Sequence, residues 1–437
     1  MTNILNGLRK IANVTAPGWS FILYAILGGA LGVLAWGSER TPVMAVLLPA
    51  IVLTAPSRLA AFAAALAYHL CVVRFVPEYV SHWFNNPAYG LAAWNVIGLV
   101  SALVWAVFWT RSTKPWVVGL FAGLAFVVAL LPPWAVVMPG HPIVGWGFIL
   151  QGWAWFGIAL GVAVTAFVCA GIRSLSGSTR QAMAAWAGIA LVAALLLVTS
   201  FKQERLSGQI VGDMYAFSTG WGDPPSNDEE TIERIEKAGT LINAVASSPG
   251  GAGRLLVLPE TAIGKFDPTF AAVLNAEIGA QVKATGQAVV LGTEIGSPDG
   301  FNENLALLIR PDGTNDYAKQ RQPPLLSMWA PWRKGHFPAD WSSSNILQIS
   351  EGVRARVMFC YEEYIPALHL LNEAYDDHNL VIVMANGWAA ANLTASDVQA
   401  AHSEGMARLF GRRYLRAENY QPSIALLRRA AIARNHP

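Results

Sequence analysis

The stretch Val357-Met358-Phe359-Cys360-Tyr361-Glu362-Glu363 places a thiol directly after an apolar run and before two acids. Two further charged side chains lie in comparable settings, in Leu255-Leu256-Val257-Leu258-Pro259-Glu260 and in Tyr317-Ala318-Lys319-Gln320. Short runs of this kind are typical of buried β-strands. An acid, a cation and a thiol at or near strand ends can form a covalent acyl-transfer site. Glu260, Lys319 and Cys360 are therefore the candidate catalytic residues.

Each of these groups has a distinct task in acyl transfer. A thiolate attacks the acyl carbonyl and forms a thioester, which a second nucleophile then resolves. A free thiol has a pKa of about 8.5, so a base must remove its proton, and Glu260 is the candidate base. Lys319 and the backbone N–H of Tyr361 are candidates for stabilising the oxyanion. Glu362 would support the site, either by orienting Lys319 or by sharing the role of base.

Each residue taken alone also has a simpler structural interpretation. A Cys after a strand is usually a packing residue, a Lys in a loop is usually solvated, and an acid after a strand is usually a loop residue. The order and settings of the three groups favour the catalytic interpretation when they are taken together. Asn304 fits either the site or a strand edge, and the edge is preferred. His402 and Glu404 lie on a predicted helix and are expected to face solvent, whereas Cys71 and Cys169 are expected to be packing residues.

The N-terminal half is far more apolar than a soluble domain. The chain of 437 residues is 54% hydrophobic and 13% charged, against about 25% charged in ordinary soluble domains. Predominantly apolar runs occupy 19–37, 42–55, 59–76, 91–110, 116–137, 143–172 and 182–200. A membrane-spanning helix needs about 20 such residues. We expect residues 19–200 to form a membrane domain of about seven helices, with six or eight as alternatives. The run 143–172 is either a tilted helix or a helix with a re-entrant piece.

The basic residues between these runs predict how the helices cross the membrane. With residues 1–18 in the cytoplasm, seven basic residues fall on the inner side and two on the short outer segments. That asymmetry is the positive-inside bias of multi-pass membrane proteins. The domain that follows is then expected outside the cytosol, which in a Gram-negative cell means an inner-membrane protein with a periplasmic domain. A net charge of +2 gives no indication of nucleic-acid binding, and no Cys/His spacing suggests a metal.

From about Ser207 the pattern changes to short strands that alternate with helices. Strands are predicted at 209–212, 254–258, 287–292, 304–309, 354–359, 379–384 and 422–427. Helices are predicted at 228–247, 268–284, 366–375 and 397–411. Such alternation over about 230 residues predicts one α/β layered domain, which we place at residues 205–430.

The order Glu260, Lys319, Cys360, within Leu-Pro-Glu-Thr-Ala, Tyr-Ala-Lys and Cys-Tyr-Glu, resembles the nitrilase (carbon–nitrogen hydrolase) superfamily. With the apolar half before it, the chain resembles in particular the apolipoprotein N-acyltransferases, which move an acyl chain from a phospholipid to the N-terminal amine of a lipoprotein. Further matching segments are Asn386-Gly387-Trp388 and Gly411-Arg412-Arg413-Tyr414-Leu415-Arg416-Ala417. The resemblance implies an αββα sandwich, the catalytic roles given above and no cofactor.

Two other segments look closer to the TraB family of this superfamily, which is linked to plasmid transfer between bacteria. They are Ala55-Pro56-Ser57-Arg58-Leu59-Ala60 and Phe108-Trp109-Thr110-Arg111. Two features also depart from the acyltransferase pattern. Eight residues after Lys319, where those enzymes carry an essential Glu, this chain has Ser327. The final spanning helix of that family is not expected here, since the sequence ends at Pro437.

The resemblance leaves three functions. The first is a membrane-bound Cys-dependent amidase or acyltransferase that serves conjugal transfer. The second is lipoprotein N-acylation, and the third is a non-catalytic membrane scaffold of a conjugation apparatus. The expected partners are a membrane lipid or an acylated or amide substrate, together with proteins of such an apparatus.

The segment 323–341 follows Lys319 and mixes aromatic with basic residues. Aromatic rings beside cations suit the headgroup region of a membrane. The segment is either a loop that packs on its own domain or a lid that faces the bilayer and admits the substrate. On the second interpretation Trp329 and Trp332 are the substrate-facing residues.

Overall fold

The computed structural model describes residues 19–37, 42–174, 210–248, 255–296, 300–325 and 337–435. The expected cytoplasmic segment 1–18, the seventh apolar run, Ser327, Trp329 and Trp332 lie outside these residues. The chain divides into two compact units. One comprises Met1–Pro77, Pro87–Arg205 and Arg408–Phe410, and the other comprises Glu78–Asn86, Leu206–Ala407 and Gly411–Pro437. The short segment Glu78–Asn86 thus belongs to the unit formed mainly by the C-terminal half.

The N-terminal half is helical, as its apolar runs predict. Helices α1 to α9 are Ser20–Trp36, Leu48–Leu53, Arg58–Val72, Val76–Phe84, Pro87–Phe108, Pro115–Ala129, Trp134–Val137, Pro142–Ile149 and Ala154–Ser174. Helices α5 and α9 are long and apolar enough to cross a membrane, and α3 with α4, bent by 53°, would add a third span. The run 143–172 is not one tilted helix, because the chain leaves helical geometry between α8 and α9.

Close helix packing and paired polar groups hold the first unit together. A Cβ added to Gly28 would lie 2.0 Å from the carbonyl oxygen of Ala64, so α1 and α3 are in backbone contact there. The Tyr68 hydroxyl donates to the carbonyl of Gly140 over 2.8 Å. The indole N–H of Trp105 donates to Nε2 of the buried His69, which leaves the His69 Nδ1 proton for a backbone carbonyl. Each buried polar group in this set therefore has the partner that an apolar interior requires.

The second unit is an α/β structure with two sheets. Strands β1 to β11 are Ile210–Val211, Met214–Ala216, Leu255–Val257, Lys265–Phe266, Ala288–Gly296, Asn302–Ile309, Asn315–Lys319, Ile346–Ser350, Val353–Phe359, Leu380–Asn386 and Arg413–Asn419. One sheet has the order β1-β2-β3-β5-β6-β7, with β4 also paired to β5, and the other has the order β11-β10-β9-β8. Parallel pairing of β3 with β5, and of β10 with both neighbours, brings the carboxyl ends of these strands to common edges.

Helices cover the outer faces of the two sheets. The helices of this unit are α10 to α15, at Asp228–Ser247, Ala271–Leu274, Ala280–Thr285, Pro366–Tyr375, Thr394–Leu409 and Pro422–Asn435. Between the sheets lies a buried apolar core to which both contribute, for example Val257 and Val290 from one and Val357 and Ile382 from the other. A second cluster joins α10 and α11 to the first sheet, and a third joins α14 to the second sheet. The layers are thus helix, sheet, sheet, helix, as the family resemblance implies.

Several elements differ from the prediction. The strand expected at 422–427 is wrong, because Pro422 begins α15. In that segment Ile424 is buried while Leu426 and Leu427 are exposed, which is the pattern of a helix face and not of strand alternation. The helix expected at 268–284 is interrupted by a π-helical turn at Asn275–Gly279. Strands β2, β4, β7, β8 and β11 were not among those predicted.

One glycine in the first sheet sets the position of the strand-end acid. A Cβ at Gly292 would lie 2.4 Å from the carbonyl oxygen of Pro259 and 2.6 Å from the Cα of Glu260. We expect Gly292→Ala to lower the free energy of unfolding by about 2 kcal/mol, because the backbone at Pro259 and Glu260 must move. Denaturant titration measures this. The matched control is Gly296→Ala in the same strand, where the added Cβ would meet the Lys265 side chain only at 3.4 Å. Equal stabilities of the two variants would contradict the close approach.

Candidate active site

The candidate nucleophile sits on a strained turn. Strand β9 ends at Phe359, and Cys360 begins a 3-10 turn, Cys360–Tyr364. Its φ of +33° falls in the left-handed region that L-residues rarely adopt. Thr261, directly after the candidate base, has a φ of +49°, which is unusual for a β-branched residue. Strain at both positions is characteristic of functional sites, where the surrounding structure enforces it.

Glu260 follows β3 and is buried at the same edge as the thiol. Its Oε1 accepts a hydrogen bond from the side-chain amide of Asn304, on β6. Burial raises the pKa of Glu260 to about 8, while hydrogen bonds with Asn304 and Cys360 oppose the shift and the charge of Glu294 adds to it. The carboxyl and the thiol are therefore neighbours, and Oε2 of Glu260 has no hydrogen-bond partner among the described residues.

The Cys360 thiol is also buried and is held by two donors. Burial raises its pKa, and the charge of Glu260 adds to the effect. Hydrogen bonds from the backbone N–H of Asn386 and from the side-chain amide of Gln399, at 3.5 Å from Sγ, favour the thiolate. A thiolate at this position would be stabilised by these N–H groups, with the Glu260 carboxyl as the neighbouring group able to take the proton.

Lys319 has a different partner. Its Nζ donates to both carboxylate oxygens of Glu303, at 2.8 and 2.9 Å, and both side chains are partly exposed. In the antiparallel pair β6–β7, Lys319 lies opposite Leu305, while the next pair, Ala306 and Ala318, faces the core between the sheets. Lys319 therefore leaves the strand on the outer face. The structure brings Glu260 and Cys360 together and gives Lys319 an ion pair with Glu303.

The two supporting residues occupy distinct positions. Glu362 is fully buried, and its carboxylate accepts hydrogen bonds from the backbone N–H groups of Phe359, Arg321 and Gln322. Burial raises its pKa to about 7, although these donors favour the charged form. Glu362 joins the Cys360 turn to the segment after Lys319. Tyr361 is half-buried, with its ring centroid 6.3 Å from that of Tyr364.

A buried ion cluster lies beneath the Cys360 turn. Arg416 donates to both oxygens of Glu363, each at 3.1 Å, and also to Glu418. The Ser403 hydroxyl donates to Glu363 over 2.6 Å, and Ser396 donates to Glu418. One cation facing two acids leaves an excess of negative charge, which must be compensated by these hydrogen bonds.

Some site residues were not identified from the sequence. The strand-edge role preferred for Asn304 is wrong, since its side-chain amide donates a hydrogen bond to the buried carboxyl of Glu260. Gln399 carries no motif that would have marked it. The expectation that His402 and Glu404 face solvent is also wrong, because each is 1% exposed. Within the described part of the chain, no group of three or more His, Cys, Asp or Glu residues could hold a metal ion.

Because the pKa of Glu260 is raised, replacing its carboxyl by a neutral amide is expected to increase the stability by an amount that depends on pH. Between pH 4.5 and 8 the unfolded chain loses this proton before the folded chain does, so the wild type loses stability as the pH rises. Glu260→Gln does not titrate and keeps an acceptor for Asn304. We expect its advantage over wild type to grow by at least about 1 kcal/mol between pH 5 and pH 9. Urea unfolding at both pH values measures it, with the exposed Glu236→Gln as control. A difference that does not vary with pH would contradict a buried titrating carboxyl.

Two curated proteins are similar to this chain along nearly its whole length. The conjugal transfer protein TraB of Agrobacterium fabrum is 25% identical, and the match covers 94% of this chain and 95% of that protein. The probable conjugal transfer protein TraB of Sinorhizobium fredii is 24% identical, over 89% of this chain and 96% of that protein. No protein-family model matches the chain.

Solved structures resemble part of the chain. A carbon–nitrogen hydrolase from Helicobacter pylori matches with a TM-score of 0.36 and 15% identity, covering 48% of this chain and 75% of that one. An amidase from Nesterenkonia sp. matches with a TM-score of 0.29 and 16% identity, covering 40% of this chain. The chain spans 64% of that amidase's own length. The resemblance to the TraB proteins found in the sequence is thus confirmed over nearly the full length of this chain.

Proposed function

We propose that this protein is a membrane-bound carbon–nitrogen hydrolase or N-acyltransferase-like enzyme that works through a Cys360 thioester. The observation that carries the proposal is the buried pairing of Glu260 with Cys360, next to the two strained residues Thr261 and Cys360. Nothing in the packing of a sandwich requires a carboxyl and a thiol to be buried next to each other. A base in contact with a nucleophile is the arrangement that covalent catalysis needs.

The reaction proceeds in two steps. Sγ of Cys360 attacks the carbonyl carbon of an amide or acyl substrate, and the ionised form of Glu260 accepts the thiol proton. Collapse of the tetrahedral intermediate breaks the bond to the leaving group, which departs as an amine or alcohol with the proton from Glu260. Water or a second amine then attacks the thioester carbon and gives its proton to Glu260, and as the C–S bond breaks Glu260 passes that proton to Sγ, which restores the thiol. The two outcomes are hydrolysis and acyl transfer.

Lys319 stabilises the oxyanion in this proposal. Its Nζ is paired with Glu303 on the outer face of the sheet, so this role requires Lys319 to leave Glu303 and turn around the end of β7 toward the thiol when the substrate binds. The N–H of Tyr361 is the second donor proposed for the oxyanion. Trp329 and Trp332 remain proposed as substrate-facing residues of a lid.

A role in conjugal plasmid transfer is proposed from the relatives. Both curated relatives are named as conjugal transfer proteins, and both match along almost their whole length. The apolar helices support a location in the inner membrane, and the basic residues favour a periplasmic position for the second unit. The proposed substrate is an acylated or amide-containing molecule of that compartment or of the membrane itself.

The thiol is tested by its removal. We expect Cys360→Ala to lower acyl transfer or amide hydrolysis by about a thousandfold or more, because no other group can form the thioester. Acyl–enzyme trapping followed by mass spectrometry measures the intermediate, and plasmid transfer frequency measures the biological role. Cys71→Ala is the matched control. Normal transfer by Cys360→Ala cells would favour a scaffold, and rescue of a strain lacking lipoprotein N-acylation would favour that activity.

The topology is tested by cysteine labelling in intact cells. Asp312 lies in an exposed turn of the second unit, and Lys114 lies in an exposed loop of the first. We expect Asp312→Cys to react with a membrane-impermeant maleimide in spheroplasts, and Lys114→Cys to react only after lysis. Labelling of Lys114→Cys alone in spheroplasts would place the second unit in the cytoplasm.

A further inference from the structure

Asn386 lies where the two sides of the candidate site meet. It ends β10 and is 2% exposed. Its side-chain amide donates to the hydroxyl of Thr261, next to Glu260. Its side-chain oxygen accepts from the amide of Asn419 over 3.1 Å. The side chain therefore ties the end of β10 to the acid-bearing turn and to β11.

The backbone of Asn386 points toward the thiol. The N–H of the next residue, Gly387, donates to the carbonyl of Asn419 on β11 over 2.7 Å. Because successive residues of a strand direct their N–H groups to opposite sides, the N–H and carbonyl of Asn386 face β9. Strand β9 pairs with β10 only as far as Phe359, and Cys360 turns away there. The Asn386 N–H is thus left for the Cys360 sulfur, to which it donates.

The carbonyl on the same side is held by a residue from far away in the chain. The hydroxyl of Tyr79, in α4, donates to the Asn386 carbonyl over 2.8 Å. Tyr79 belongs to the segment Glu78–Asn86, which is part of the same compact unit as Asn386. No further residue of β9 pairs with the Asn386 backbone. Instead, the Cys360 sulfur accepts from its N–H and the Tyr79 hydroxyl donates to its carbonyl.

Two neighbours of Tyr79 hold the residues that follow Asn386. Nδ1 of His82 donates to the carbonyl of Ala389 over 3.1 Å, since a carbonyl can only accept. The ring of Trp83 stacks on Tyr79 and lies 5.3 Å from the ring of Trp388. The segment Glu78–Asn86 therefore contacts the chain before, at and after Trp388.

We propose that Tyr79 is a positioning residue of the thiol site, which acts through the Asn386 backbone to keep its N–H directed at the Cys360 sulfur. The inference rests on the proposed nucleophilic role of Cys360 and adds a residue outside the nitrilase-like segment to that site. Glu260 and Glu363 are the acids whose charges oppose the thiolate. The N–H of Asn386 counters them, and its direction depends on the hydroxyl of Tyr79.

The test needs no knowledge of the substrate. The full chain in detergent is alkylated with iodoacetamide between pH 6 and pH 10, and mass spectrometry follows the peptide that contains Cys360. Tyr79→Phe keeps the ring that stacks on Trp83 and removes the hydroxyl. We expect it to slow alkylation at pH 8 by about fivefold and to move the pH midpoint upward, as for the loss of one hydrogen bond. Hydrogen exchange in the peptide covering residues 385–390 should increase.

The matched control is Tyr375→Phe, since Tyr375 is 82% exposed; it should behave as wild type. His82→Ala is a second variant, and like Tyr79→Phe it should slow the alkylation of Cys360. Thermal unfolding of each variant identifies the temperature range in which it is folded, and rates are compared there. Unchanged alkylation in folded Tyr79→Phe, or faster alkylation with an unchanged pH midpoint, overturns the proposal. Normal acyl transfer by Cys360→Ala would instead refute the proposed function and leave the alkylation result standing.

Discussion

Three backbone N–H groups converge on the buried carboxylate of Glu362, and the candidate site depends on that convergence. One N–H comes from Phe359, directly before the thiol, and the others come from Arg321 and Gln322, shortly after Lys319. Without the carboxylate, buried N–H groups in two segments would lose their acceptors, each at a cost of about 1–3 kcal/mol. A single side chain therefore holds the strained Cys360 turn in place and connects it to the chain that leaves β7.

The sequence predicts the apolar elements of this unit well, and the polar ones poorly, for a physical reason. Strands such as β3 and β10 are apolar because both faces are buried, so their composition marks them. Strand β11 is buried too, but it carries Arg416 and Glu418. Arg416 pairs with Glu418 two residues later and also with Glu363, 53 residues earlier, and no local pattern can indicate the second pairing. The same holds for Asn304, whose importance arises only from the acid that lies 44 residues before it.

The candidate site places several buried charged and polar groups next to one another. The ion cluster of Glu363, Arg416 and Glu418 is fully desolvated, and the thiol and the carboxyl of Glu260 are buried beside it. Such groups persist when each is bound by its neighbours, since removal of one partner leaves another charge uncompensated. The arrangement costs stability relative to an apolar core, and under the proposed function it supplies the reactive groups that such a core lacks. This is the trade between stability and activity that functional sites commonly show.

The long sequence separations within the second unit also determine when it can fold. Backbone hydrogen bonds join Thr219 to Glu418 and Tyr420, 199 and 201 residues further along the chain, and Tyr79 reaches Asn386 across 307 residues. Contacts between residues so far apart in the sequence form late in folding, because the long loops between them must close before the contacts can stabilise the unit. On the ribosome, the sulfur environment of Cys360 is incomplete until the last strand has emerged. The apolar helices of the N-terminal half are therefore synthesised well before the side chains around Cys360 can assemble.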